Sequence, residues 1–147
     1  FGSSTKDAYR GSDGVKRALL VDDSPFFRNL LSPLLSVAGW EVTTVEAASE
    51  ALEMRELGSN FDVIISDIEM PEMDGFEFAQ AVRGDDRWKD IPMIALSGRT
   101  SDSDFQRGRE AGFNDYVAKS DREALVGGLA QTVATVMQDE QEAVENK

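Results

Sequence analysis

Several short apolar segments of this chain end at charged residues. The charged residues at these ends are Asp22, Asp23, Asp67 and Lys119. The apolar segments before them span 18–21, 63–65 and 116–118. Segments this short and this rich in β-branched residues are typical of buried parallel strands. Because ligands of open α/β sheets bind outside the carboxyl ends of the strands, we expect these charged groups to meet in one crevice.

Strand and helix patterns alternate five times along the chain. We predict strands at 18–21, 40–45, 61–67, 91–96 and 116–118. We predict helices at 25–38, 49–57, 76–83, 101–111 and from 121 to about 137. Ser24 is the expected N-cap of the first helix, Pro25 its first residue, and Pro33 should kink it. The alternation predicts an α/β fold, a (βα)5 doubly wound parallel sheet with helices on both faces.

The length of 147 residues predicts a single domain, which we place at residues 17–137. Residues 1–16 are rich in Gly, Ser and charge, and we predict a linker or an artificial remnant there. Residues 138–147 are predicted to form an acidic tail. Because the first residue is Phe rather than Met, we expect a longer parent protein or such a remnant.

The composition argues against several classes of function. The net charge of −13 repels phosphate backbones, so nucleic acid is not an expected partner. The chain has no histidine and no cysteine, which excludes histidine-based catalysis, thiolate metal sites and disulfides. No apolar stretch approaches the ~20 residues of a membrane span, and no signal-peptide pattern is present. We therefore expect a cytoplasmic protein without a membrane partner.

The residue types at the predicted crevice fit a hard divalent cation and a phosphoryl group. Mg²⁺ prefers oxygen ligands, and Asp22, Asp23 and Asp67 offer three carboxylates. Asp67 stands alone at its strand end and is the better phosphoryl acceptor, whereas the adjacent pair is better suited to hold metal. Lys119 would hold the phosphoryl oxygens, and Ser97 could donate a hydrogen bond to them. Each residue alone would be an ordinary turn, cap or surface residue, so the prediction depends on their joint placement.

Five sequence motifs make residues 17 to about 137 resemble the receiver domain of two-component signalling. The motifs are Leu20-Val21-Asp22-Asp23-Ser24, Asp67-Ile68-Glu69-Met70-Pro71 with Met73-Asp74-Gly75, Leu96-Ser97-Gly98, Gly112-Phe113-Asn114-Asp115-Tyr116 and Lys119. The resemblance implies a flavodoxin-like sheet with strand order 2-1-3-4-5, the order typical of that fold. It also implies a signalling domain that uses Mg²⁺ or Mn²⁺ and catalyses its own phosphorylation and dephosphorylation.

The resemblance further implies a role for each site residue. Asp67 would accept a phosphoryl group from the phosphohistidine of a histidine kinase phosphotransfer domain, and Lys119 would bind the transferred group. Ser97 and Tyr116 would be switch residues that move toward it. The metal ligands would be Asp67, Asp23, Asp22 through water, and Glu69 through its main-chain carbonyl.

Two segments, 22–31 and 118–123, look like those of receivers attached to the carboxyl end of hybrid chemotaxis histidine kinases. Such a receiver could be covalently fused to its kinase and act as a phosphate sink or feedback element. Ser120 departs from the family, which usually has proline after the lysine, often with a cis peptide. A cis bond before a non-proline residue costs about 3–4 kcal/mol, so this bond is either trans or held under strain.

Glu69 and Arg99 each lie two residues beyond a candidate site residue, Asp67 and Ser97 respectively. We hypothesise that their side chains pair over the pocket mouth and hinder the water that would hydrolyse an acyl phosphate. The alternative is that both are separate solvated charges.

Two other classes of function stay open on the sequence. A metal-dependent phosphatase could also use an aspartyl nucleophile. Such enzymes place a second aspartate two residues after the first, where this chain has Glu69, and they need a substrate cap that this length hardly permits. The other class is a phosphorylation-independent interaction module. The intact set of three aspartates and Lys119 argues against it.

Overall fold

The computed structural model describes residues 15–128 and contains one parallel sheet of five strands. The strands are β1 (Lys16–Val21), β2 (Trp40–Val45), β3 (Val63–Asp67), β4 (Met93–Ser97) and β5 (Asp115–Ala118). Their spatial order is β2-β1-β3-β4-β5, and every neighbouring pair is parallel. The predicted doubly wound sheet and its strand order are confirmed.

Four helices connect the strands, and a fifth follows β5. The helices are α1 (Pro25–Val37), α2 (Ala48–Glu56), α3 (Gly75–Arg83) and α4 (Asp102–Ala111), and α5 begins at residue 122 and is helical through residue 128. Every described boundary lies within two residues of its prediction. The rest of the last predicted helix, the acidic tail and all of the predicted linker except Val15 and Lys16 lie outside the described residues.

Local sequence signals explain where the helices begin. Ser24 caps α1 by accepting a hydrogen bond from the Phe27 amide, and Pro25 is the first helical residue, as predicted. Pro33 lies inside α1, which continues to Val37. Asp74 forms a reciprocal capping box at the start of α3. Strand β4 begins later than predicted, because Pro92 precedes it and has no amide hydrogen to donate to the sheet.

The alternation of side chains along the strands builds two hydrophobic layers, one on each face of the sheet. Leu19, Ile64 and Met93 face one layer, which is completed by helices α2, α3 and α4. Leu20 and Ile65 face the other layer, which includes apolar residues of α1 and the start of α5. Burial of both faces accounts for the nearly continuous apolar runs of the central strands. Within residues 15–128, no helix is long and apolar enough to span a bilayer.

Arg83, the last residue of α3, joins two loops at the amino-terminal edge of β4 and β5. Its guanidinium donates to the carbonyl oxygens of Lys89 and Ile91, both at 2.7 Å, and to that of Gly112 at 2.7 and 3.0 Å. A further bond of 2.9 Å reaches Oδ1 of Asn114. Burial lowers the pKa of Arg83, so these oxygens compensate for part of the lost hydration.

We expect Arg83→Ala to lower the free energy of unfolding by about 3 kcal/mol, because it leaves several partly buried carbonyl groups without donors. Urea denaturation followed by circular dichroism measures this loss. Arg87→Ala is the matched control, since its guanidinium makes solvent-exposed ion pairs and should contribute much less. Equal losses in the two variants would contradict the assigned role of Arg83.

Candidate functional site

Three aspartates meet at the carboxyl ends of β1 and β3. The two strands are neighbours, and Val21 pairs with Ser66, so that Asp22 and Asp67 lie side by side just beyond this pair. One carboxylate oxygen from each of Asp22, Asp23 and Asp67 lies within 4.8 Å of the others. Asp22 and Asp67 are buried, whereas Asp23 is exposed to solvent. The site therefore combines two buried acids with one exposed acid, and we call this cluster the pocket.

Lys119 enters the same pocket from the end of β5. The pairing of β5 with β4 places it beside Ser97, and its amide donates to the Ser97 carbonyl at 3.0 Å. Its ammonium lies 3.1 Å from Oδ2 of Asp22 and 3.2 Å from Oδ1 of Asp67. The structure thus brings all four charged residues together. No cis peptide occurs in the described part of the chain, so the bond between Lys119 and Ser120 is trans.

One ammonium does not balance the buried carboxylates. Burial, followed by repulsion from Asp22, raises the pKa of Asp67 to about 7, although Lys119 acts in the opposite direction. Oδ2 of Asp22 accepts no hydrogen bond even though Nζ of Lys119 lies 3.1 Å away. A buried carboxylate oxygen without a donor is costly. The pocket therefore has an excess of negative charge and an unused ligand atom.

The chemistry of this donor set fits a hard divalent cation such as Mg²⁺ or Mn²⁺. The three clustered groups are all carboxylates, and the described part of the chain contains no histidine or cysteine that would favour a softer metal. With Lys119 they leave a formal charge of −2, which one divalent cation would neutralise. The residues present at this site therefore fit the ion that the sequence predicted.

Ser97, at the end of β4, lies in a hydrogen-bond network beside the pocket. Its hydroxyl donates to Oε1 of Glu69 at 3.3 Å and accepts from the Arg99 amide at 2.9 Å. Oε2 of Glu69 lies 3.1 Å from Nε of Arg99. The predicted pairing of Glu69 with Arg99 is therefore confirmed, and the same carboxylate also contacts Ser97. The Glu69 amide, in turn, donates to Oδ1 of Asp67 at 3.3 Å.

Tyr116, in β5, extends this network to the next strand. Its hydroxyl donates to the main-chain carbonyl of Arg99 at 2.8 Å. Its ring packs edge to face on Phe105 of α4, with 5.0 Å between the ring centroids. Gly108 permits the approach of α4, because a Cβ at this position would lie 2.7 Å from the tyrosine ring. Tyr116 is thus placed to connect the Ser97 loop with α4.

Two residues near the pocket were not assigned to the site from the sequence. The Arg28 guanidinium donates to the main-chain carbonyl of Asp22 at 2.7 Å. The ring of Phe27 lies 4.3 Å from the ammonium of Lys119, measured to the ring centroid. The only sequence signal for either is its position in the first turn of α1, directly after the acidic pair. That signal equally fits a residue of the apolar face of α1.

Comparison with known sequences identifies relatives of the whole domain. A family model described as a response regulator receiver domain matches residues 18–130. The sensor histidine kinase CheAY of Helicobacter pylori is 38% identical over 119 residues, which cover 79% of this chain but only 14% of that kinase. The two-component response regulator ORR3 of Oryza sativa subsp. indica is 36% identical over 115 residues, covering 78% of this chain and 88% of that protein.

Solved structures show the same architecture. The chemotaxis response regulator CheY4 of Vibrio cholerae matches with a TM-score of 0.75 and 38% identity, over 81% of this chain and 99% of CheY4. The receiver domain of the sensor histidine kinase PA1611 from Pseudomonas aeruginosa matches with a TM-score of 0.74 and 28% identity, over 82% and 99% of the two chains. In that structure a magnesium ion is coordinated in the active site cleft.

Proposed function

The chain belongs to the response regulator receiver domain family, and we propose that its Asp67 accepts a phosphoryl group from a phosphohistidine of a histidine kinase phosphotransfer domain. The observation that carries the proposal is the burial of the Asp67 carboxylate beside Asp22, with the ammonium of Lys119 at 3.2 Å. We place the phosphoaccepting domain at residues 17–137. The donor histidine must come from that phosphotransfer domain, since residues 1–147 contain none.

The proposed transfer forms one bond and breaks one bond. A carboxylate oxygen of Asp67 attacks the phosphorus atom, and the N–P bond of the donor phosphohistidine breaks as the imidazole leaves. Lys119 is placed to bind the phosphoryl oxygens, because its ammonium already contacts the attacking carboxylate. Because Asp67 ends β3 and is held by the sheet, it is presented to the donor in a fixed position.

Asp22, Asp23, Asp67 and the main-chain carbonyl of Glu69 are the proposed ligands of Mg²⁺ or Mn²⁺, with Asp22 acting through water. When bound, the cation supplies positive charge that offsets the charge of the phosphoryl oxygens. The clustered carboxylates, and the buried Asp22 oxygen that accepts no hydrogen bond, support this assignment. The main-chain carbonyl of Glu69 is included because the family resemblance implies it, and the Glu69 side chain contacts Ser97 and Arg99.

We propose that Ser97 and Tyr116 transmit the effect of phosphorylation from the pocket to the surface of the domain. The Ser97 hydroxyl would exchange Glu69 for a phosphoryl oxygen, and the Ser97 loop would move with it. Because the Tyr116 hydroxyl is bonded to the Arg99 carbonyl of this loop, its side chain would follow inward. The surface of α4, β5 and α5 is the proposed contact face for a downstream partner.

The proposed setting is cytoplasmic chemotaxis signalling, with the receiver covalently fused to a hybrid kinase. The similarity to Helicobacter pylori CheAY and Vibrio cholerae CheY4 supports this setting. In a hybrid kinase the domain would act as a phosphate sink or a feedback element. The acidic net charge of −13 supports a protein partner rather than nucleic acid.

Intact-mass measurement after treatment with acetyl phosphate tests the proposal. We expect one phosphoryl adduct with Mg²⁺ present and none when EDTA replaces it. Absence of an adduct under both conditions would favour a phosphorylation-independent interaction module. Multiple turnover of phosphate esters would instead favour a phosphatase.

The pair formed by Glu69 and Arg99 should lengthen the lifetime of the phosphorylated state. Both side chains are substantially exposed, so the pair is worth at most about 1 kcal/mol. In the Glu69→Ala/Arg99→Ala variant we expect the adduct to decay faster, by no more than about fivefold. Intact mass followed over time measures the decay. The control is Arg109→Ala/Glu110→Ala, which removes one charge of each sign from α4. An unchanged lifetime in the Glu69→Ala/Arg99→Ala variant would show that the pair does not hinder hydrolysis of the acyl phosphate.

A further inference from the structure

Phe27 supplies the one aromatic surface against the ammonium of Lys119 in the part of the chain that the structure describes. Nζ lies 4.3 Å from the ring centroid, within the range of a cation–π contact. The Phe27 backbone is fixed by the first turn of α1, where its amide donates to Oγ of Ser24. The Phe26 ring packs edge to face on it at 5.3 Å. The ring is therefore held in place independently of Lys119.

The other contacts of this ammonium are with groups that change during the proposed reaction. They are the carboxylates of Asp22 and Asp67. On phosphorylation Asp67 becomes an acyl phosphate, and Asp22 is a proposed ligand of the cation through water. The side chain of Lys119 has four carbons and several rotatable bonds, and holding it in one conformation costs entropy. It therefore needs a contact that persists. The Phe27 ring is chemically inert and can provide that contact in every state.

We propose that Phe27 is a positioning residue that holds the Lys119 ammonium at the pocket throughout the phosphorylation cycle. The inference rests on the proposed phosphoryl acceptance by Asp67. The ring acts in two ways. Its π face attracts the cation, and its half-buried body covers one side of the ammonium against water. The side chain of Lys119 is 14% exposed, so water is already restricted around it.

Substitutions at Phe27 separate the π face from simple packing. We expect Phe27→Leu to slow adduct formation from acetyl phosphate and Mg²⁺ about five- to tenfold, within the range of cation–π energies. Phe27→Tyr keeps a π face and should stay within about twofold of the wild type. Val37→Ala is the control, since it removes apolar atoms from the same helix at a position that is 89% exposed, and it should leave the rate unchanged. Equal rates for Phe27→Leu and the wild type would overturn the proposal.

A double-mutant cycle with Lys119→Ala tests whether Phe27 acts through the lysine. Once the ammonium is removed, Phe27→Leu should cause no further slowing. If Phe27→Leu slowed adduct formation by the same factor in the wild type and in Lys119→Ala, the effect would be one of packing, and the positioning role would be overturned.

Side-chain NMR of Lys119 tests the contact without phosphorylation. We expect the ε-methylene protons of the wild type to be shifted by the Phe27 ring current, and Phe27→Leu to remove that shift. An unshifted wild-type signal would overturn the proposal. A wild type with the ring-current shift but no phosphoryl adduct would instead overturn the proposed function, leaving the Phe27 contact established.

Discussion

The Asp67→Asn variant should carry no phosphoryl adduct after treatment with acetyl phosphate and Mg²⁺, under conditions that label most of the wild type. The substitution keeps the shape of the side chain and removes the anionic oxygen that would form the O–P bond. Asp22 and Asp23 remain in the variant, so any transfer to a neighbouring carboxylate would still be detected. Intact mass measures the result, and peptide mapping of the wild-type adduct should locate it on Asp67.

The matched control for this variant is Asp86→Asn, which makes the same substitution at a carboxylate that is 95% exposed. It should be labelled at the wild-type rate. An adduct of wild-type size on Asp67→Asn would show that another residue is the acceptor, and the assignment of Asp67 would be wrong. A folded but unlabelled variant is the expected outcome, because the amide is uncharged and removes a buried charge rather than adding one.

Metal-free protein should become less stable as the pH rises from 5 to 8. Burial, with repulsion from Asp22, raises the pKa of Asp67 to about 7 from an ordinary value of 3.8. The native state therefore holds a proton on Asp67 that the unfolded state has already lost at pH 5, and this stabilisation disappears as the pH passes 7. We expect the free energy of unfolding in EDTA to fall by about 2–3 kcal/mol over this range.

The sign of this effect distinguishes Asp67 from other carboxylates of the protein. Hydrogen bonds from Arg87 lower the pKa values of Asp85 and Glu56, and hydrogen bonds from Ser101 lower the pKa of Asp104. Their stabilising contributions are complete above the unfolded pKa values and are lost only when the pH falls further. They are therefore nearly constant between pH 5 and 8, so the fall in stability should come from the site.

Urea denaturation in EDTA at several pH values measures the fall in stability, with two comparisons. Asp67→Asn should remove most of the pH dependence, because the titrating group is gone. Mg²⁺ should stabilise the wild type most at pH 8, where the site is fully charged and binding to the native state shifts the unfolding equilibrium. Equal slopes in the wild type and Asp67→Asn would show that Asp67 has an ordinary pKa.

Much of the fold followed from the sequence, because the spacing of apolar residues and the residues that begin or end helices and strands are local signals. The apolar runs at β1, β3 and β5 predicted buried parallel strands, and Ser24 with Pro25 predicted the start of α1. Boundaries shifted by up to two residues where backbone hydrogen bonding decided them. The clearest case is β4, which begins after Pro92.

The convergence of the candidate site was also predictable, because the carboxyl ends of parallel strands lie on one edge of a sheet. The strand order itself came from the family resemblance. Once β1 and β3 are neighbours, the pairing of Val21 with Ser66 brings Asp22 beside Asp67.

The residue types at the ends of the strands could be read from the sequence alone, and with them the kind of chemistry available at the edge that the strands share. The assembled fold was needed to show that Phe27 covers Lys119, that the Glu69 carboxylate also contacts Ser97, and that Arg83 is held by carbonyl oxygens. These contacts join side chains from separate elements, and they depend on packing distances that no local pattern encodes. The raised pKa of Asp67 has the same origin, because burial and the nearness of Asp22 arise only when the sheet is assembled.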